Sequence, residues 1–289
     1  MTEVGAALRS YGVGDDEVVD GFHVSERASG GRGQLLIPWP NRLEDGTFTF
    51  DGVACRAALD EPSRGNAIHG LVRWLPWVLQ DRTPHAVDLS CALHPQPGYA
   101  WTLDLAVRYE LGPFGLRVTM RATNRSATPA PFGAGAHPYV SAGTELIDDA
   151  TLRVPARRRI IADERQLPTD EVDVAGTEFD FTEGRVLGDL ALDTGYTALQ
   201  RDEDGIAEVQ LSTHDQLTTI KVWMDEAFPW VMIYTGDTVE PASRRRRGLA
   251  IEPMTCPPNA LRSGVDLVTL APRATWTGTW GIRALLYVF

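Results

Sequence analysis

The chain has 289 residues, of which 43% are hydrophobic and 23% charged, and a formal net charge of -12. That length and apolar share can supply a core without metal or disulfide staples, and we read residues 1–289 as a single domain. The acid excess excludes a long contact with nucleic acid phosphates or an anionic membrane, because such a surface would repel them. Cys55, Cys91 and Cys256 lack zinc-site spacing and form no even disulfide framework. The opening MTEVGAALRSYGVGDD carries no basic segment followed by an apolar stretch, and no run is long enough to span a bilayer. The expected location is the cytoplasm, with reduced thiols.

In chain order, the first predicted strand is Thr47–Phe50 and the next Val87–Leu93. The clearest signal follows: from Trp101, Leu103, Leu105, Val107, Tyr109 and Leu111 alternate with Thr102, Asp104, Ala106, Arg108 and Glu110. Period two of this kind marks a half-buried strand. After the breaker GPFG at 112–115, Leu116, Val118, Met120 and Ala122 alternate with polar residues, predicting an antiparallel hairpin. Residues 157–193 look irregular and are expected to form loops over one sheet edge. Further strands are expected at Glu208–Ser212, Thr218–Met224, Trp230–Thr235 and Thr275–Arg283. With 27 glycines and 19 prolines, long helices have little room. The predicted fold is all-β, a large antiparallel β-sandwich.

Several chemistries fail on inspection. GGRG at 30–33 lacks the Lys and Ser/Thr of a phosphate loop, and GAGA at 133–136 runs into His137 and Pro138, so both read as turns. No GxSxG elbow or HExxH helix is present. The sequon Asn124 to Ser126 is a pattern short enough to occur by chance, and Arg244–Arg247 reads as a solvated loop. Four runs place polar residues in apolar or turn-rich settings: IPWPNRL at 37–43, NAIHG at 66–70, GAHPYV at 135–140 and LAIEPMTCPPNA at 249–260. Glu252 stands among apolar neighbours, where ionisation needs partners. Pro138 holds His137 in an extended backbone at a strand end. Taken singly, each of these residues also fits a purely structural role.

In wording and order, the four runs resemble the aldose 1-epimerase family, with RWLPW at 73–77 between the second and third. That resemblance spans nearly the whole chain. It implies a large β-sandwich with an open cleft, no metal and no organic cofactor. The partner it implies is a small-molecule sugar, bound by a monomer or homodimer. Glu252 matches the family's general base and His137 its general acid. His69 resembles the second histidine, which hydrogen-bonds near the ring oxygen. Arg42 is similar to the arginine that holds sugar hydroxyls, and Asp193, in LDTGY, to the aspartate that binds ring hydroxyls. Trp39, Trp74, Trp77 and Trp223 are the tryptophans that could stack on a sugar, with core packing the alternative for each.

The expected activity is an isomerase reaction, interconversion of the α and β anomers of a free hexose by acid–base ring opening. A hexose-phosphate epimerase of the same fold is an alternative, for which Arg73 and the run at 244–247 would supply cations. Another is a noncatalytic carbohydrate-binding protein. A glycoside hydrolase would need two carboxylates flanking the scissile bond, where this motif set offers one carboxylate and two histidines.

Overall fold

The computed structural model describes residues 1–286. Nearly all regular structure is β, with one helical turn at Ala260–Ser263 and two 3-10 turns among the described residues. Two large sheets carry the fold, one of nine strands and one of eight. Every named strand pair is antiparallel, as expected for a sandwich whose inner faces bury alternate residues.

The predicted hairpin forms the middle of the nine-stranded sheet. Strands Leu103–Gly112 and Gly115–Asn124 pair in register from Leu103 opposite Asn124 to Gly112 opposite Gly115. Leu103, Leu105, Val107, Tyr109, Leu116, Val118, Met120 and Ala122 point into the core. Leu111 departs from the pattern and is exposed beside the turn, with Phe114 at the tip. Ala86–Leu93 extends the sheet on one side, and Thr275–Leu286 on the other.

Residues 157–193 are more regular than expected. Ala156–Ala162 and Pro168–Asp173 form a hairpin at the edge of the eight-stranded sheet, ion-paired through Arg158 to Glu171 and Asp173. Charged edge strands resist pairing with another chain, and their weak apolar alternation is what hides them in the sequence. Arg244–Arg247 is a loop as expected, with Arg245 and Arg247 exposed, but it is pinned by ion pairs. Arg244 pairs with Asp20, Arg245 with Glu240, and Arg246 with Asp148 and Asp237. Asn124 is fully buried, its amide donating to the carbonyls of Thr128 and Leu270, so the sequon has a structural use.

The eight-stranded sheet positions the site. Its order runs Pro168–Asp173, Ala156–Ala162, Asp193–Leu199, Trp230–Tyr234, Leu249–Met254, Gly135–Ala136, Leu35–Leu36, with Tyr139–Val140 also pairing with Leu249–Met254. All three cysteines are free, and no described helix is long and apolar enough to cross a membrane.

Candidate active site

Glu252 sits on Leu249–Met254, a strand buried along its whole length. It faces Met232 across the sheet, and Met232 belongs with Ile160, Trp230 and Met254 to a small apolar cluster. The carboxyl group is therefore largely withdrawn from water, with 2% of the residue exposed. Burial, reinforced by the charge of Asp193 and opposed by Arg42, raises its pKa well above the usual carboxylate range.

His137 lies between Gly135–Ala136 and Tyr139–Val140, short strands that flank Leu249–Met254. Its Nε2 is 3.3 Å from Glu252 Oε1. The imidazole stacks on Tyr139, with centroids 5.1 Å apart, and the guanidinium of buried Arg32 lies over the same tyrosine ring at 4.4 Å. Burial lowers the imidazole pKa to about 3, with the positive charges of Arg32 and Arg73 reinforcing it against a contribution from the His137 backbone. Both shifts run the same way, favouring the proton on Glu252 and a neutral His137. Gly31 closes the other approach: a Cβ there would stand 2.5 Å from His137 Cδ2.

Arg42 and His69 arrive together because Arg42–Glu44 pairs with Asn66–Ile68, bringing Arg42 opposite Ile68. Arg42 forms a fork on Glu61, with Nε 2.9 Å from Oε2 and Nη2 3.1 Å from Oε1. The same Nη2 reaches Asp193 Oδ2 at 3.2 Å, while Arg64 donates to Glu61 at 3.2 Å. Asp193 begins the strand Asp193–Leu199 and is two residues along from Gly195, which shares a row with Met232 and Glu252. Asp193 and Glu252 thus occupy one face of the sheet. His69 packs edge-on against His137 at 5.2 Å. Its pKa is lowered well below the ordinary value by burial and by the neighbouring His137, Arg73 and Arg42.

All five predicted residues line one cavity of 450 Å³, within the range of small-molecule sites. A larger cleft of 1010 Å³, lined by Arg9, His23 and Arg244 among others, contains none of them. The smaller cavity is the candidate site because the perturbed, facing acid–base groups are in it. Arg27, Arg42, Arg64 and Arg73 share its lining with the acidic side chains of Glu61, Asp193, Glu240 and Glu252. Arg73 is tied to Asp60 at 2.5 Å, and the 244–247 run lies outside the cavity lining. Of the four tryptophans, Trp74 alone lines this cavity, 46% exposed beneath the guanidinium groups of Arg27 and Arg73. Trp39 and Trp77 are in the core, and Trp223 lines a separate groove.

Sequence reasoning missed Glu61, Arg64, Arg32, Tyr139 and Gly31. Tyr139 lies inside the HPY run and Arg32 inside GGRG, where only a turn was legible. Glu61 and Arg64 precede the NAIHG run without any local signature.

The aldose 1-epimerase family model matches residues 1–283. The uncharacterized protein YihR of Escherichia coli K12 is 32% identical over 239 residues, covering 82% of this chain and 74% of that protein. YphB of the same organism, also uncharacterized, is 23% identical over 86% of this chain and 82% of its own length. Among solved structures, a GalM/aldose epimerase homologue from Caenorhabditis elegans superposes with a TM-score of 0.87 at 18% identity, covering 99% of this chain and 94% of that one. Galactose 1-epimerase from Lactobacillus acidophilus gives 0.79 at 19% identity, covering 98% and 89%. The structures are similar in fold, while the family match spans the strands, the cavity and its facing acid–base pair: this chain belongs to the aldose 1-epimerase family.

Proposed function

We propose that the protein is an aldose 1-epimerase acting on a free, uncharged hexose. The observation that carries this is the contact between His137 and Glu252, two buried groups 3.3 Å apart on one wall of the cavity. The anomeric hydroxyl and the ring oxygen share one carbon, so the groups that serve them must stand close together. Ring opening needs the hydroxyl to lose a proton as C1–O5 breaks, C1=O1 forms and O5 gains a proton. Glu252 takes the first proton and His137 supplies the second.

The proton count constrains this step. Ring opening begins with Glu252 ionised and His137 protonated, and it ends with Glu252 protonated and His137 neutral. That final distribution is the one burial favours. Sugar hydroxyls donating to the carboxylate hold the starting state, and its collapse toward the neutral pair favours opening. Rotation about C1–C2 presents the other aldehyde face. O5 then attacks C1 and returns its proton to His137, while Glu252 protonates O1.

Arg42, His69 and Asp193 bind and orient the hexose, and Trp74 offers a face for stacking. The paired arginines support a neutral sugar over a phosphate ester, because an anion would have to compete with Glu61, Asp193 and Asp60. Polarimetry on freshly dissolved pure anomers of a panel of hexoses tests the assignment. Acceleration for at least one neutral hexose is expected. Acceleration for none, or for glucose 6-phosphate with no effect on glucose, would overturn it.

A further inference from the structure

His69, His137 and Glu252 offer ligand atoms that all lie within 4.8 Å of one another, and all three residues are buried. Two histidines and a glutamate also form the donor set of a catalytic zinc site. The surroundings of His69 decide between a metal centre and proton chemistry. Asn41 and His69 both adopt left-handed backbone, with φ of +55° and +63°. The His69 N–H donates to the Asn41 carbonyl at 2.8 Å, and in return the Asn41 N–H donates to His69 Nδ1 at 3.2 Å. Asn41 is itself fixed by its Oδ1, which accepts the Arg42 N–H at 2.8 Å.

A backbone N–H is only ever a donor, so Nδ1 must present a lone pair. A neutral imidazole then carries its proton on Nε2. Ligation of a metal through Nε2 would drive the proton to Nδ1, setting two donors head to head in a buried site. Ligation through Nδ1 is blocked by the same N–H. Metal-binding histidines show the opposite polarity, giving their second nitrogen's hydrogen to an acceptor. An imidazolium, with hydrogen on both nitrogens, meets the same conflict.

We propose that the Asn41 backbone N–H is a tautomer lock, holding His69 as a neutral Nε2–H donor and making the His69–His137–Glu252 cluster refuse divalent metal ions. Asn41 is a positioning residue that acts through His69. The lowered His69 pKa agrees with this. That the fixed donor serves a sugar oxygen rests on the anomerisation reading; the tautomer itself does not.

The test is long-range ¹H–¹⁵N spectroscopy of the imidazoles in the full-length labelled chain, His69 being assigned by sequential backbone assignment and by the signal lost in His69→Gln. The expected pattern is an unprotonated Nδ1 and a protonated Nε2 from about pH 5 to about pH 9, a range in which an ordinary histidine titrates. Equimolar Zn²⁺ should leave this pattern unchanged. Asn41→Gly keeps the N–H and tolerates the positive φ, so it should retain the His69 signature. An Nδ1–H tautomer, an imidazolium within that range, a zinc-ligated His69, or loss of the signature in folded Asn41→Gly would each overturn the lock. A locked His69 in a protein that accelerates no anomer exchange would instead retain the lock and remove the function proposed above.

Discussion

Replacing Gly31 by alanine tests the packing that aims His137. Gly31 has a φ of +77°, and a Cβ there would stand 2.5 Å from His137 Cδ2 and 2.8 Å from Nε2. Ordinary contact begins at 3.4 Å, so the imidazole must retreat by 3.4 − 2.5 = 0.9 Å or the backbone must yield. Two penalties follow. Left-handed backbone costs a residue with a Cβ about 1–2 kcal/mol, and misplacing a reacting group by about 1 Å costs roughly 10²-fold in rate. Gly14→Ala separates them, since Gly14 has a φ of +62° with nothing within 4 Å of its Cβ position. Thermal melts and polarimetric progress curves at saturating and limiting sugar read the two effects. Gly14→Ala should lose about 1–2 kcal/mol of stability and keep its turnover. Gly31→Ala should lose at least as much stability and about 10²-fold in kcat, with a small change in KM. A folded Gly31→Ala enzyme with near wild-type kcat would refute the claim that Gly31 aims the imidazole.

The pH profile of kcat/KM should have limbs that belong to the pair, the acid limb set by a second proton reaching His137 as pH falls toward about 3. Its alkaline limb follows loss of the single proton through the raised Glu252 pKa; ordinary values for the two groups would give the reverse assignment. Infrared spectra of the empty enzyme at neutral pH should show a protonated carboxyl band missing from Glu252→Gln, and identical bands in the two would contradict a neutral Glu252. Because the folded-state pKa of Glu252 is raised, wild-type stability should fall as pH rises from the unfolded carboxyl range through the folded value, so Glu252→Gln should melt higher than wild type on the alkaline side. His137, with its pKa lowered, should lose stability as pH falls from about 6.5 toward about 3, a loss that His137→Asn removes. Arg42→Ala should weaken sugar binding and also destabilise the fold by about 1–3 kcal/mol, because Glu61 loses its fork and keeps only Arg64 and Asn66, and Asp193 loses its nearest cation; an unchanged melting temperature would show that the network carries no structural weight.

The central hairpin was legible apart from Leu111, because alternation from 101 to 122 reports a strand with one buried face, and a glycine-bounded break sets its register. Thr218–Met224 has the expected bounds, and the expected strand at 275–283 continues to Leu286. The hairpin at 156–173 was illegible because its outer strand is a charged, solvated edge and its inner strand carries three consecutive arginines in place of apolar alternation. Of the site, Glu252, His137, His69 and Arg42 could be read from local runs, since each lies in a sequence-distinct turn or buried strand. The Arg42–Glu61–Asp193 network could not, because its partners lie 19 and 151 residues from Arg42 and meet only through strand pairing. Nor could the sequence show the apolar cluster behind the strand, which contributes to the burial that raises the Glu252 pKa.

Exchange between the α and β anomeric protons of the best-served hexose, followed by magnetisation-transfer spectroscopy, tests most directly that Glu252 and His137 move the protons. Wild-type protein should raise the exchange rate, and Glu252→Gln should lower the enzymatic turnover by about 10²-fold or more while the protein stays folded and still binds sugar. Near wild-type exchange in folded Glu252→Gln would contradict the account.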